Sequence, residues 1–333
     1  MNAETQSFRY LVTGATGFTG GHLARSLAGE GHRVRALVRP GSQTENLQHP
    51  NIELVHGQLT DRRVVEAAAQ DCEKIFHIAA VFRTAGHPDS HYYDVNVGGT
   101  AHVLEAARRA GCERVVHCST GGVHGHIEDP PADETYRLKP DDVYQRSKVE
   151  AERAVQAAAA QGQRAVVFRP GAIYGEGDLR FLKLFGSIAK KRFFMIGAGT
   201  PRLHLVHVDD LVAGIKLCGS VEAALGETFL LAGPEAPTLN EIVRYATEYL
   251  RLPTPRIRVP VWPVYSAAWL CETLCVPLRI NPPLHRRRVG FFTHHREFDI
   301  SKARRLLGYA PRVTPREGIA RTIRWYAEAG YLR

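Results

Sequence analysis

Phe8-Arg9-Tyr10-Leu11-Val12-Thr13-Gly14-Ala15-Thr16-Gly17-Phe18-Thr19-Gly20 is the stretch on which the reading of this chain turns. A short apolar run over 8–12 enters a Gly-x-x-Gly-x-x-Gly turn. A helical pattern follows over 22–28, with Leu23 and Leu27 on one face and Gly29 and Gly31 at its end. Glycines there permit a tight turn and let backbone N–H groups approach a pyrophosphate at the positive end of a helix. A glycine triplet alone is weak evidence, because glycine turns are common. Set between a strand and a helix, it reads as a dinucleotide site rather than a bland turn.

Working outward, 34–38, 52–55, 74–79, 114–118 and 165–168 read as further short apolar strands, and 97–110 and 143–160 as helices. Short strands alternating with longer helices imply a parallel sheet covered on both faces. Right-handed crossovers then leave the α/β doubly wound Rossmann sheet as the solution. After Arg169-Pro170 the alternation loosens into helix and loop patterns, with prolines clustered at 253–263 and 282–283. The expected organisation is a dinucleotide-binding domain over 1–178, rejoined by about 203–232. A smaller C-terminal α/β substrate lobe takes 179–202 and 233–333.

Composition bounds the function. A chain of 333 residues, 44% hydrophobic and 23% charged, has material for two lobes and is not disordered. The formal net charge of +9 raises nucleic acid, a membrane surface or an anionic ligand as partners. The basic residues are scattered, apart from His285-Arg286-Arg287-Arg288 and His294-His295-Arg296. No zinc-finger, RNA-binding aromatic or helix-turn-helix pattern accompanies them, so a solvated basic face is expected and no nucleic-acid partner. Six cysteines without a Cys-x-x-Cys pair, and no apolar leader over the first residues, imply reduced thiols, a cytoplasmic setting and no metal centre. Cys271 and Cys275, at helical spacing, read as two small core hydrophobes. The apolar stretch 262–280 is interrupted by Glu272, Pro277 and Arg279 and is no membrane span. A core helix of the small lobe weighs evenly against the two other readings together, a wall of an apolar pocket and the disfavoured peripheral membrane contact.

The chemistry is carried by Tyr144-Gln145-Arg146-Ser147-Lys148. On a helix, residues four apart share a face. A phenol of pKa ~10 is a poor proton carrier at neutral pH, and an ammonium beside it favours the phenolate. With a phosphate cradle upstream, that pair reads as a hydride-transfer enzyme. At the end of the second strand, where an NAD site usually carries an acid, stand Val38 and Arg39. Arginine suits a 2′-phosphate, so NADP is favoured and NAD kept as the alternative. Arg39 stacked over adenine or turned to solvent is the rival reading.

Ordered motifs along the chain resemble the extended short-chain dehydrogenase/reductases, the NAD(P)-dependent epimerase/dehydratase superfamily. They are Thr13 to Gly20, His77-Ile78-Ala79-Ala80, Asn96-Val97-Gly98-Gly99-Thr100, Cys118-Ser119-Thr120-Gly121-Gly122-Val123-His124-Gly125, Tyr144 to Lys148, Arg169-Pro170-Gly171-Ala172-Ile173-Tyr174-Gly175, His207-Val208-Asp209-Asp210-Leu211 and Phe298-Asp299-Ile300-Ser301-Lys302-Ala303. The resemblance implies Thr120 as the hydroxyl that holds the reacting oxygen, with Ser119 the neighbouring alternative. It implies Tyr144 as the proton carrier, and Lys148 as its tuner and the holder of the nicotinamide ribose. It places the cofactor against Gly14, Thr16, Gly17, Phe18, Thr19, Gly20, Leu59, Ala79, Ala80, Asn96, Cys118 and Pro170. Gln58 stands where an aspartate usually meets adenine. His124 replaces a usual tyrosine and reads as structural filler.

The same resemblance separates reactions. Dehydratases place an Asp-Glu pair after the catalytic threonine; Gly121-Gly122 stand there, so dehydration is not expected. Nucleotide-sugar epimerases commonly carry a diphosphate-binding arginine four residues before His207, where this chain has Leu203, with Arg202 adjacent. The second half looks more like the 3β-hydroxysteroid dehydrogenase and dihydroflavonol reductase branches. The expected enzyme is thus a dehydrogenase/reductase acting on a secondary alcohol or ketone of a bulky, hydrophobic small molecule. An epimerase is the runner-up. A non-catalytic NADP(H)-sensing regulator is the remote third, since such relatives typically lose the tyrosine-lysine pair. By analogy, helices 97–110 and 143–160 could form a homodimer seam.

Overall fold

The computed structural model describes residues 9–82, 87–275, 284 and 286–332. The leader residues read above, Phe8 and residues 276–280 of the apolar stretch lie outside them, as do His285 and the Arg287 side chain.

In the first half, strands and helices alternate: β1 (Arg9–Thr13), α1 (Phe18–Gly29), β2 (Arg33–Val38), β3 (Ile52–His56), α2 (Arg62–Ala69), β4 (Lys74–His77), α3 (Asp89–Tyr93), α4 (Gly99–Ala110), β5 (Arg114–Cys118), α5 (Val143–Ala160) and β6 (Ala165–Pro170). There follow β7 (Ala172–Tyr174), α6 (Leu182–Ala189), β8 (Met195–Ile196), β9 (Leu205–His207), α7 (Val208–Ser220), β10 (Thr228–Leu231), α8 (Leu239–Leu250), β11 (Arg258–Val259), α9 (Val261–Cys275), α10 (Arg286–Thr293), α11 (Ser301–Leu307) and α12 (Pro315–Glu328).

Seven strands form one parallel sheet in the order β10-β6-β5-β4-β1-β2-β3. This is the Rossmann-like α/β fold, and its strand order reverses between β1 and β4. Ligands of such sheets sit outside the carboxyl ends of the strands at that reversal. Side chains alternate across the sheet as strand geometry demands. Tyr10, Val12, Val116, Val166 and Phe168 face a core shared with α1, α7 and α11. Leu11, Ile75, Val115 and Val167 face α2, α4 and α5 on the other side. A third core, with Phe185, Ile188, Leu239, Ile242, Ile319 and Ile323, joins α6, α8 and α12.

Several local readings shift. α1 begins at Phe18, directly on the glycine turn, rather than at 22. α2 had no counterpart in the sequence reading; Asp61 caps it, its carboxylate accepting from the N–H groups of Arg63 and Val64. β4 stops at His77, because the Ala79 N–H is taken by the Thr13 hydroxyl at 3.2 Å. Within 203–232 the chain divides: β9 pairs with β7 in a separate two-stranded sheet, while β10 pairs with β6 at the edge of the large one.

The largest correction concerns α9. Of its fifteen residues only Ala268 is buried, so it is not a core helix. Cys271 and Cys275 are half-buried, not core hydrophobes. The stretch is apolar, yet its neighbours cover one side only. Among the described residues no helix is long and apolar enough to cross a membrane.

Candidate active site

The glycine turn is shaped by close backbone approaches that a side chain would block. Gly14 has φ +75°, and a Cβ there would lie 2.7 Å from the Ala79 nitrogen. A Cβ on Gly20 would come within 2.2 Å of the Gly14 carbonyl oxygen. These approaches hold the first turn of α1 against the carboxyl ends of β1 and β4. The unpaired N–H groups of that turn, with no acidic side chain beside them, form the positive end expected to meet a pyrophosphate. The cradle fits a dinucleotide.

Thr13, His77 and Thr100 brace the turn from below. The Thr13 hydroxyl lies 2.8 Å from His77 Nδ1, and His77 Nε2 lies 3.0 Å from the Thr100 hydroxyl, which itself donates to the Asn96 carbonyl. That chain is satisfied by a neutral His77 with its proton on Nε2. Burial and the nearby Lys148 charge accordingly push the His77 pKa down to about 3.

Gly14, Thr16, Gly17, Phe18, Thr19, Gly20, Arg39, Gln58, Leu59, Ala79, Ala80, Cys118, Thr120, Tyr144 and Pro170 all line one continuous groove above the sheet. Arg39 is exposed at its rim, in the Arg39-Pro40-Gly41-Ser42 loop after β2. Lys148 and Asn96 do not line it. Lys148 is 1% exposed, beneath Tyr144 on the same helix. The Asn96 side chain is engaged inside the protein. Its amide oxygen accepts from Val81 N at 2.7 Å, and its nitrogen donates to the Val81 carbonyl and to Ser147 Oγ at 2.9 Å. Both side-chain polar atoms are used inside the protein, and Asn96 ties the loop after β4 to α5.

Tyr144 is the second residue of α5, whose start is capped by Asp142 accepting from Gln145 N at 2.8 Å. A phenolate in a first helical turn is favoured by the helix dipole as well as by a lysine one turn on. Tyr144 is 8% exposed, and Phe82 meets it edge-on at 5.0 Å. The Lys148 ammonium lies 3.3 Å from His117 Nε2. His117 is buried, and desolvation and then the lysine charge hold its pKa well below the usual imidazole range. Burial also lowers the Lys148 pKa. A neutral His117 therefore accepts from the lysine, while its Nδ1 has no hydrogen-bond partner among the described residues.

Thr120 and Ser119 separate by their partners. Thr120 Oγ1 accepts from Gly122 N at 3.1 Å, which leaves its own hydrogen for an acceptor in the groove. Ser119 Oγ instead donates to Glu152 at 2.6 Å, beneath the site. There Glu152 is paired with Arg169, both nearly buried. Arg169 also reaches His124 Nε2 at 3.2 Å and the Glu134 carbonyl at 3.0 Å. His124 belongs to this floor and does not line the groove.

Past Tyr144 and Thr120 the groove widens among Phe181, Leu184, Phe193, Ile196, Leu203, Phe291, Phe292 and Phe298, with Val261 and Tyr265 of α9 at its outer end. Its volume, about 2230 Å³, exceeds the few hundred to about 1,000 Å³ of an ordinary ligand pocket. Arg202 does not substitute for the missing epimerase arginine. It donates to the Ala236 carbonyl at 2.7 Å, lies 3.5 Å from Glu297 and is not on the groove wall. Gly121 is needed for packing: a Cβ would strike the Phe298 ring at 2.7 Å. The phenylalanines of 193–194 and 291–292 were missed by sequence reasoning. Phe193 and Phe194 lie in the irregular segment before β8, and Phe291 and Phe292 near the end of the eight-residue α10, pieces too short for periodicity to mark a shared wall.

The family model described as NAD dependent epimerase/dehydratase matches residues 10–230. A putative dihydroflavonol 4-reductase of Synechocystis is 32% identical, over 97% of this chain and 96% of its own. A 3 beta-hydroxysteroid dehydrogenase/Delta 5→4-isomerase of Mycobacterium tuberculosis is 32% identical, over 97% and 91%. Among solved structures, a dTDP-glucose 4,6-dehydratase of Streptomyces venezuelae with NAD bound superposes with a TM-score of 0.79 at 26% identity, covering 98% of this chain and 99% of that one.

Proposed function

The chain belongs to the NAD dependent epimerase/dehydratase family and is an enzyme, and from that premise we propose a dehydrogenase/reductase that interconverts a secondary alcohol and a ketone on a bulky apolar substrate, with NADP(H) preferred. The observation that carries this reading is the junction of the groove. Its polar half holds the glycine cradle and Arg39, its far half is aromatic and aliphatic, and Tyr144 and Thr120 stand where the two meet.

Gly14, Gly17 and Gly20 would admit the pyrophosphate, Arg39 the 2′-phosphate, and Leu59, Ala79 and Ala80 the adenosine side. When bound, the nicotinamide supplies or takes up the hydride. The chain's own work is orientation and proton transfer. The Thr120 hydroxyl, fixed by the Gly122 N–H, donates to the substrate oxygen. Tyr144 gives that oxygen its proton in reduction and removes it in oxidation. A positive charge on Lys148, one helical turn from Tyr144, favours the phenolate form, and the ammonium is held in place by the neutral imidazole of His117. Gly121 and Gly122 bring no acid or base, so no water is eliminated.

Tyr144→Phe is expected to lower turnover at least about 10²-fold while NADPH affinity stays within about twofold. Unchanged turnover would remove Tyr144 from the chemistry. The substrate class is tested by NADPH oxidation against a graded series of ketones. Rates that rise with apolar bulk support the reading, and activity confined to small polar ketones contradicts it.

A nucleotide-sugar epimerase is the second reading, favoured by Lys183 and Arg192 on the groove wall. The cofactor content of freshly purified protein separates the two. Stoichiometric NAD that survives dialysis supports the epimerase, and exchangeable NADPH supports the reductase.

A further inference from the structure

α9 is predominantly apolar, its polar side chains being Ser266, Glu272 and Thr273, and has only Ala268 buried. Helices of that composition ordinarily lie inside a core or in lipid. Here Trp262, Tyr265, Trp269, Leu270 and Leu274 are each 47–74% exposed. At 100° per residue they spread over about half the helix surface, opposite the side that carries Ala268. Isolated exposed hydrophobes need no explanation, but a contiguous patch with two tryptophans does.

Charge identifies the occupant. Between residues 251 and 288 the sequence holds seven arginines against one acid, Glu272, which is six of the chain's formal +9. Glu272 is itself engaged, its carboxylate accepting from the backbone and guanidinium of Arg286. A second copy of this chain docked on α9 would bring two such arginine-rich segments together, and like charges oppose that. An anionic bilayer attracts the arginines and also accepts the tryptophans at its headgroup level.

We propose that α9 is a peripheral docking surface, by which the enzyme rests on an anionic membrane with Trp262, Trp269, Leu270 and Leu274 in the interface. The same helix bounds the outer end of the groove through Val261 and Tyr265, and exposed Arg286 and Arg288 line it too. The groove thus opens beside the docked face. Uptake of an apolar substrate from the bilayer follows only if the function proposed above holds; docking does not depend on it.

The test is flotation of the full chain, without substrate, on vesicles of phosphatidylcholine alone or with phosphatidylglycerol. The expected result is binding to the anionic vesicles, weakened severalfold by ~0.5 M salt, and reduced about tenfold or more in Trp262→Ser/Trp269→Ser. Brominated lipid should quench the wild-type tryptophan fluorescence, since two of the three tryptophans lie on α9. This readout does not rely on the variant's folding. No flotation, no quenching, or equal flotation of the double variant would overturn the proposal. So would a concentration-dependent dimer that the double variant abolishes, which would make a second copy the occupant. None of these outcomes bears on the reaction, because no turnover is measured.

Discussion

Arg39 is the side chain on which the proposed preference for NADPH over NADH rests. It follows Val38 at the carboxyl end of β2, where a carboxylate would hold two ribose hydroxyls and repel a phosphate. Arg39→Asp is expected to shift preference from NADPH toward NADH by about tenfold or more, read as the ratio of kcat/KM values. An unchanged ratio would mean that the guanidinium points to solvent. At this scale the sequence was legible wherever a role follows from spacing along one element. Tyr144 and Lys148 are one helical turn apart, and the structure keeps them on one helix. It was less legible where a role depends on what another element leaves unsatisfied. Nothing local in Asn96 says that the Val81 backbone and Ser147 consume its amide. Nothing in Ser119 says that Glu152 takes its hydroxyl.

The glycine turn and α1 form the element on which the proposed cofactor binding depends. Gly20→Ala places a Cβ where only 2.2 Å separates it from the Gly14 carbonyl, and backbone cannot yield as a side chain would. The variant should lose NADPH binding by about tenfold or more while the rest of the sheet folds, as titration calorimetry beside circular dichroism would show. Wild-type affinity in that variant would mean the turn does not carry the pyrophosphate. Strands of the central sheet were readable because burial on both faces leaves near-continuous apolar runs. α2 escaped notice because its eight residues include two arginines and a glutamate, and only Val65, Ala68 and Ala69 are buried. α9 stayed open between core, pocket wall and surface for the opposite reason. Periodicity reports composition around a helix, not whether anything covers it, and a predominantly apolar helix looks the same inside a core as on a membrane.

Across the whole molecule, neutral buried histidines make stability depend on acid. The pKa of His77 is held near 3, His204 is pushed down to about 4, and His117 lies well below 6.5, each chiefly by burial. Below 6.5 the unfolded chain binds protons that the folded one refuses, so stability falls as pH falls from 6.5 toward 4. The slope approaches about 1.4 kcal/mol per pH unit for each such group. Glu176 adds to the loss below about 4.5, since bonds from His207 and Arg321 hold its carboxyl near 2. Urea midpoints should be level above pH 7 and drop steeply at pH 5; a level midpoint down to pH 5 would contradict these assignments. The path of the main chain has another consequence. After β6 it leaves for α6 and β8, and it returns through α7 to add β10 beside β6. A gene fragment ended near codon 178 would therefore encode a sheet stripped of its last strand and of the helix that seals one face. The first 178 residues are therefore not expected to fold as a detachable cassette, and exchanging the other segments between homologues while keeping α7 and β10 with the sheet requires two crossover points rather than one.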